Sequence, residues 1–178
     1  ATISQTFQKC VEILYAKSSN VDIWPDMGQV QAFMPPTFYE NFPSCRVIIE
    51  FFIQRPTNPT EQQSSFSNYK NHNTVKSLIG IAPSGAITFI SELYNGAISD
   101  RELTLRSGVI EKLEASDCVL ADKGFTVLSD MFESKGCTLF TPNVRKDNIQ
   151  FPVNERCENK KVSSHRCHIK RYLHTGVT

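Results

Sequence analysis

One acid stands out by its position. Asp122 follows the apolar run Asp117-Cys118-Val119-Leu120-Ala121, so it falls where a short buried strand ends. With Gly124 two residues further on, that is a common way to aim a carboxylate into a cleft. The plainer reading is a strand-end turn residue. Glu50 interrupts the β-prone run CRVIIEFFIQR and faces either a cleft or an exposed edge. Asp100 follows Ser99 at a helix start, where a carboxylate favours the helix dipole without any further role. Lys123, beside Asp122, either touches a phosphate or is solvated. Lys160, Lys161, Arg166, His168, Lys170 and Arg171 cluster near the C-terminus; they form either a contact for a nucleic-acid backbone or an ordinary solvated face. Tyr69, Lys70 and His72 either line a nucleic-acid channel or simply open a strand. Cys157, His165, Cys167 and His168 do not make a zinc knuckle, because their spacing fits no CxxC-type pattern and His-x-Cys-His cannot converge on one ion from a helix.

The chain that must position these groups has 178 residues, enough for one domain with a substantial core. It is 40% hydrophobic and 21% charged, a soluble globular composition. No apolar run approaches the roughly 20 residues of a membrane helix. The net charge of +1 excludes a whole-chain basic footprint, although a basic rim can be cancelled by an acidic cleft. The six Cys lack repeated spacing, and several lie in strand-like runs. They read as reduced, partly buried thiols of an intracellular protein. The N-terminus shows neither a secretory signal nor an initiator Met, which suggests a fragment or a processed product.

Along the chain, Phe7, Cys10, Val11 and Leu14 have helical spacing and predict a helix over 4–17. Pro25 limits that region, and short helical pieces follow over 26–34 and 37–41. Residues 1–41 thus read as a small helical cap. Residues 45–55 predict the first core strand. A polar loop over 56–68 leads to a hairpin over 75–82 and 86–94, turned by Pro83-Ser84-Gly85. Ser99 and Glu102 have capping-box spacing, which starts a helix at Asp100. A strand over 117–121, a helix over 126–135 closed by Gly136 and a strand over 137–140 come next. An irregular connection over 144–159 and a final helix over 160–173 complete the order. Antiparallel strands followed by α/β connections predict an α/β, ribonuclease-H-like mixed sheet with flanking helices, over residues 42–178.

Three stretches carry a family resemblance: FPSCRVII, SNYKNHNTVKSLIGIAPSGAITFISELYNGAISDRE and CVLADKGF. They resemble the DDE superfamily endonuclease domain of Harbinger-like transposases, in the transposon-derived form sometimes found behind a THAP zinc finger. The resemblance covers nearly the whole chain. It implies three carboxylates, Asp, Asp and Glu, holding two Mg²⁺ or Mn²⁺ ions at a scissile DNA phosphodiester. The second Asp of the family matches Asp122, and a further carboxylate in the GxISD motif matches Asp100. DNA as partner and a nuclear location follow from the same resemblance, with any sequence-reading domain upstream. Lys70, His72, Lys123, Arg166 and Arg171 are the expected DNA contacts; oligomeric state is left open.

The chain departs from the family at two of the three ligand positions. Where the family reads IIDCTE, this chain reads Ile48-Ile49-Glu50. Either three residues are deleted and the first Asp is lost, or Glu50 takes its place with one extra methylene. Where the family reads RIHVERY, Lys170 stands at the Glu position, and the chain stops a few residues later, so a truncated last helix is expected. An ammonium about 4 Å from a carboxylate gains several kcal/mol at moderate effective dielectric, so Lys170 would compete with a cation for Asp122. The expectation is a DDE-type fold with impaired cleavage and weak or absent metal binding, with Asp122, Glu50 and Asp100 as the remaining acids. The alternative is a DNA- or protein-binding module that keeps the fold without the chemistry.

Overall fold

The computed structural model describes residues 2–18, 21–54, 66–67 and 72–142. The expected connection over 144–159 and helix over 160–173 lie outside the described residues. Chain order runs α1 (Ile3–Ser18), α2 (Met27–Ala32), α3 (Pro36–Asn41), β1 (Cys45–Gln54), β2 (Phe66–Ser67), β3 (His72–Asn73), β4 (Val75–Ile81), β5 (Ile87–Ile90) and β6 (Tyr94–Asn95). It continues with α4 (Asp100–Ser107), α5 (Val109–Lys112), β7 (Cys118–Ala121), a 3₁₀ helix (Lys123–Leu128), α6 (Ser129–Ser134) and β8 (Thr138–Phe140).

The main sheet has the order β5-β4-β1-β7-β8, with β6 pairing to β4 and β2-β3 forming a separate ribbon. Strands β5 and β1 each run antiparallel to β4 between them; β7 is parallel to β1 and β8 to β7. A three-stranded antiparallel meander continued by two parallel strands is the ribonuclease-H-like arrangement, as the element order predicts. β1 is central, and its apolar run is explained by burial on both faces. Val47 and Ile49 join Leu78, Val119 and Ala121 under α4, α5, α6 and the 3₁₀ helix. Ile48 alternates to the other face with Ile79, Ile81, Cys118 and Leu120, where α3 contributes Phe38.

The hairpin forms as its turn chemistry predicts, with Gly85 at φ 94°. The expected single strand over 86–94 is broken instead. Ser91 turns its hydroxyl to accept from Leu78 N–H at 2.9 Å, and β6 then returns to pair Tyr94 with Lys76. Downstream, the helix expected over 126–135 is split into the 3₁₀ helix and α6, and Gly136 ends it at φ 77°. The helix expected over 4–17 forms as α1, but it buries none of its side chains: Phe7, Val11 and Leu14 are 70%, 48% and 65% exposed. Periodicity specified the helix; it did not specify a partner.

The N-terminal segment is attached to the sheet further along. Arg46, 1% exposed on β1, donates from Nε to Asp117 Oδ2 at 3.0 Å and from Nη1 to the Pro25 carbonyl at 2.9 Å. Its Nη2 lies 3.2 Å from Glu114 Oε1, close enough for an ion pair although not aligned as a hydrogen bond. Asp117 also accepts from the Glu114 N–H at 2.9 Å. One guanidinium thereby joins the entry to α2, the central strand and the turn before β7. A buried cation is tolerated only with such partners.

Candidate active site

Two acids lie where the pairing of the two central parallel strands ends. Their register runs Val47↔Val119, Ile48↔Leu120 and Ile49↔Ala121. The pairing ends there, and Glu50 and Asp122 are the next residues on the two chains. Glu50 is a regular member of β1: its pairing with Ile79 belongs to an unbroken register from Ile48↔Ile81 to Gln54↔Val75. No bulge therefore turns it aside. Alternation along β1 and β7 puts Glu50 and Asp122 on the face that carries Ile48, Ile79 and Leu120. Both acids are half-buried. A carboxylate within β1 and another directly after β7 are hard-oxygen donors of the kind a divalent cation takes.

Asp122 also has a local task. Its backbone is extended (φ −74°, ψ 163°), and its Oδ1 accepts from the Lys123 N–H at 2.7 Å, capping the 3₁₀ helix. The next turn delivers Phe125 into the core, where its ring stacks on Phe51 with centroids 4.2 Å apart and 10° between planes. Gly124 is not required by backbone shape, and a Cβ built there meets nothing within 4 Å. Lys123 is exposed beside the pair.

Asp100 lies elsewhere. It opens α4, capped by Ser99, whose hydroxyl accepts from Glu102 N–H at 3.1 Å. Glu102 does not complete the predicted box but pairs with Arg106 Nε at 2.6 Å. Asp100 Oδ1 is 3.2 Å from Lys76 Nζ, which also donates to the Ile98 carbonyl at 3.0 Å. Lys76 shares a sheet face with Leu78, opposite to the face of Glu50 and Asp122. Glu50 and Asp122 thus follow the last paired positions of β1 and β7, whereas Asp100 pairs with Lys76.

Lys70, Arg166, Lys170 and Arg171 lie outside the described residues, as do Cys157, His165, Cys167 and His168; His72 belongs to β3. Among the described residues no group of three or more His, Cys, Asp or Glu converges as a metal centre. The buried thiols offer no nucleophile: burial and the neighbouring Cys118 thiol push Cys45 well up, and burial pushes Cys137 up. No helix among the described residues is long and apolar enough to cross a membrane. Sequence reasoning missed Phe51 and Phe125 as site-shaping groups. The available signal was an aromatic ring one residue after Glu50 and another three after Asp122.

The mixed sheet with its flanking helices defines an α/β fold of the ribonuclease-H-like kind. Residues 48–175 match the DDE superfamily endonuclease family, and the chain belongs to it. That membership implies DNA as substrate, and nucleases of this superfamily generally use divalent metals. Searches of curated proteins and of solved structures each find no match.

Proposed function

We propose that this chain is a transposase-derived DDE endonuclease domain of the Harbinger-like, THAP-associated type, working on nuclear DNA, in which cleavage is impaired. The observation that supports this reading is the parallel register of β1 and β7, which ends at Ile49↔Ala121, one residue before Glu50 and Asp122. The pair supplies two of the oxygen ligands that Mg²⁺ or Mn²⁺ would take; when bound, such an ion neutralises charge developing at a phosphodiester and lowers the pKa of bound water. Glu50 stands in for the first aspartate of the family with a longer side chain, which places its carboxylate less strictly. Lys170 replaces the third carboxylate with a cation. Lys123, Arg166 and Arg171 serve as backbone phosphate contacts. Asp100 has no part in cation binding, because Lys76 already neutralises it on the other sheet face.

Nicking of supercoiled DNA in Mn²⁺ tests this. The natural chain is expected to nick at background, and the double substitution Glu50→Asp with Lys170→Glu to nick at least about tenfold faster, a change of about 1.4 kcal/mol in barrier. Adding Asp122→Ala should remove that gain. Efficient nicking by the natural chain that Asp122→Ala abolishes would overturn the impairment. DNA binding without nicking in either form would favour a non-catalytic DNA-binding module.

A further inference from the structure

We propose that the Phe51–Phe125 ring stack is a positioning device that sets the separation of the two acids; the inference rests on the reading of Glu50 and Asp122 as a cation-binding pair. The paired register between β1 and β7 ends at Ile49↔Ala121, one residue short of both acids. Beyond that point Glu50 is still held from the other side, by its pairing with Ile79 on β4. Asp122 has left the strand and begins a 3₁₀ helix through its bond to the Lys123 N–H. Something must tie the start of that helix to β1, and the ring stack does so. Phe51 follows Glu50 directly and points to the opposite face, while Phe125 belongs to the turn that Asp122 caps and is 1% exposed. Near-parallel rings with centroids 4.2 Å apart, face against face, resist sliding of either backbone. The carboxylates lie on one face of the sheet and their fastener on the other. The ligand face is thereby left clear, and a shift of Phe51 is passed to Asp122 through the turn.

The test uses Phe51→Leu, which removes the ring from the half-buried partner while leaving Phe125 in the core, and Phe51→Tyr, which keeps the ring. Two readouts are taken on the folded protein: amide exchange at Lys123, which reports the Asp122 cap without any metal, and Mn²⁺ affinity by calorimetry. The Leu103 amide, bonded to the Ser99 carbonyl in α4, is the internal control. Phe51→Leu is expected to speed Lys123 exchange about tenfold and to weaken Mn²⁺ binding about tenfold, with Leu103 unchanged and Phe51→Tyr like the natural chain. Unchanged Lys123 exchange would overturn the proposal, and so would an equal rise at Leu103, which marks general loosening. If Lys123 exchange rises selectively but the natural chain binds no Mn²⁺, the positioning stands and the cation reading falls.

Discussion

Asp100 and Asp122 both end short sequence motifs that resemble the same family, yet the fold treats them differently. Asp100 starts a helix and is met at once by Lys76, which comes from the strand beneath it. Asp122 ends a strand whose parallel neighbour brings a second acid alongside. A helix start accepts a carboxylate for reasons of its dipole, and a cation nearby satisfies it. Asp122 is likewise satisfied in part, as the cap of the 3₁₀ helix, but through a backbone N–H and not a side-chain cation. The difference teaches that two acids of one resemblance can be held in different ways, one by an ammonium and one by a backbone N–H.

The largest effect tests the opposite extreme, an acid whose role is wholly structural. Arg46→Met removes the cation beside Asp117, which is buried on β1's flank, and is expected to cost about 3–5 kcal/mol in urea unfolding. It should leave Mn²⁺ affinity unchanged in the folded fraction; a loss of affinity would blur the distinction between structural and site acids. Asp122→Ala comes next, weakening Mn²⁺ binding by about tenfold or more, about 1.4 kcal/mol. Calorimetry on Asp100→Ala should match the natural chain within about twofold, roughly 0.4 kcal/mol. Lys76→Met is read on stability instead: the pair is partly exposed, with Asp100 at 43%, so unfolding stability should fall by about 1 kcal/mol or less. If Mn²⁺ binding strengthens in that variant, Asp100 contributes to the site after all. Smaller on the same stability scale is Gly124→Ala, expected to leave stability unchanged or to raise it by about 0.5 kcal/mol, because its Cβ meets open space. Weakened DNA binding in a variant of unaltered stability would mark Gly124 as a place of close approach.

Much of the sheet was legible because its strands are short apolar runs closed by turn residues. β7 ends where Asp122 begins, and the hairpin turn is spelled by Pro83-Ser84-Gly85. The break after Ile90 was not legible: it depends on one serine hydroxyl replacing a ladder bond. The Asp26–Gln29 capping box formed with the same spacing rule that was applied at Ser99, where only half of the box formed because Glu102 found Arg106. The Arg46–Asp117 pair spans 71 positions, and no local pattern joins such residues. The position of Asp122 directly after β7 was legible from strand chemistry. Which way Glu50 faces had to come from pairing, since a shift of one residue would have turned it to the other side.

The bond from Arg46 to the Pro25 carbonyl also decides where this polypeptide can be shortened. Trimming the leading helix up to Ser18 takes away no packed side chain. Trimming beyond Pro25 deprives a sealed guanidinium of one acceptor and lets water reach the root of the central strand. The workable boundary for a minimal version therefore falls in the few residues before Trp24, set by a single carbonyl oxygen rather than by any helix edge.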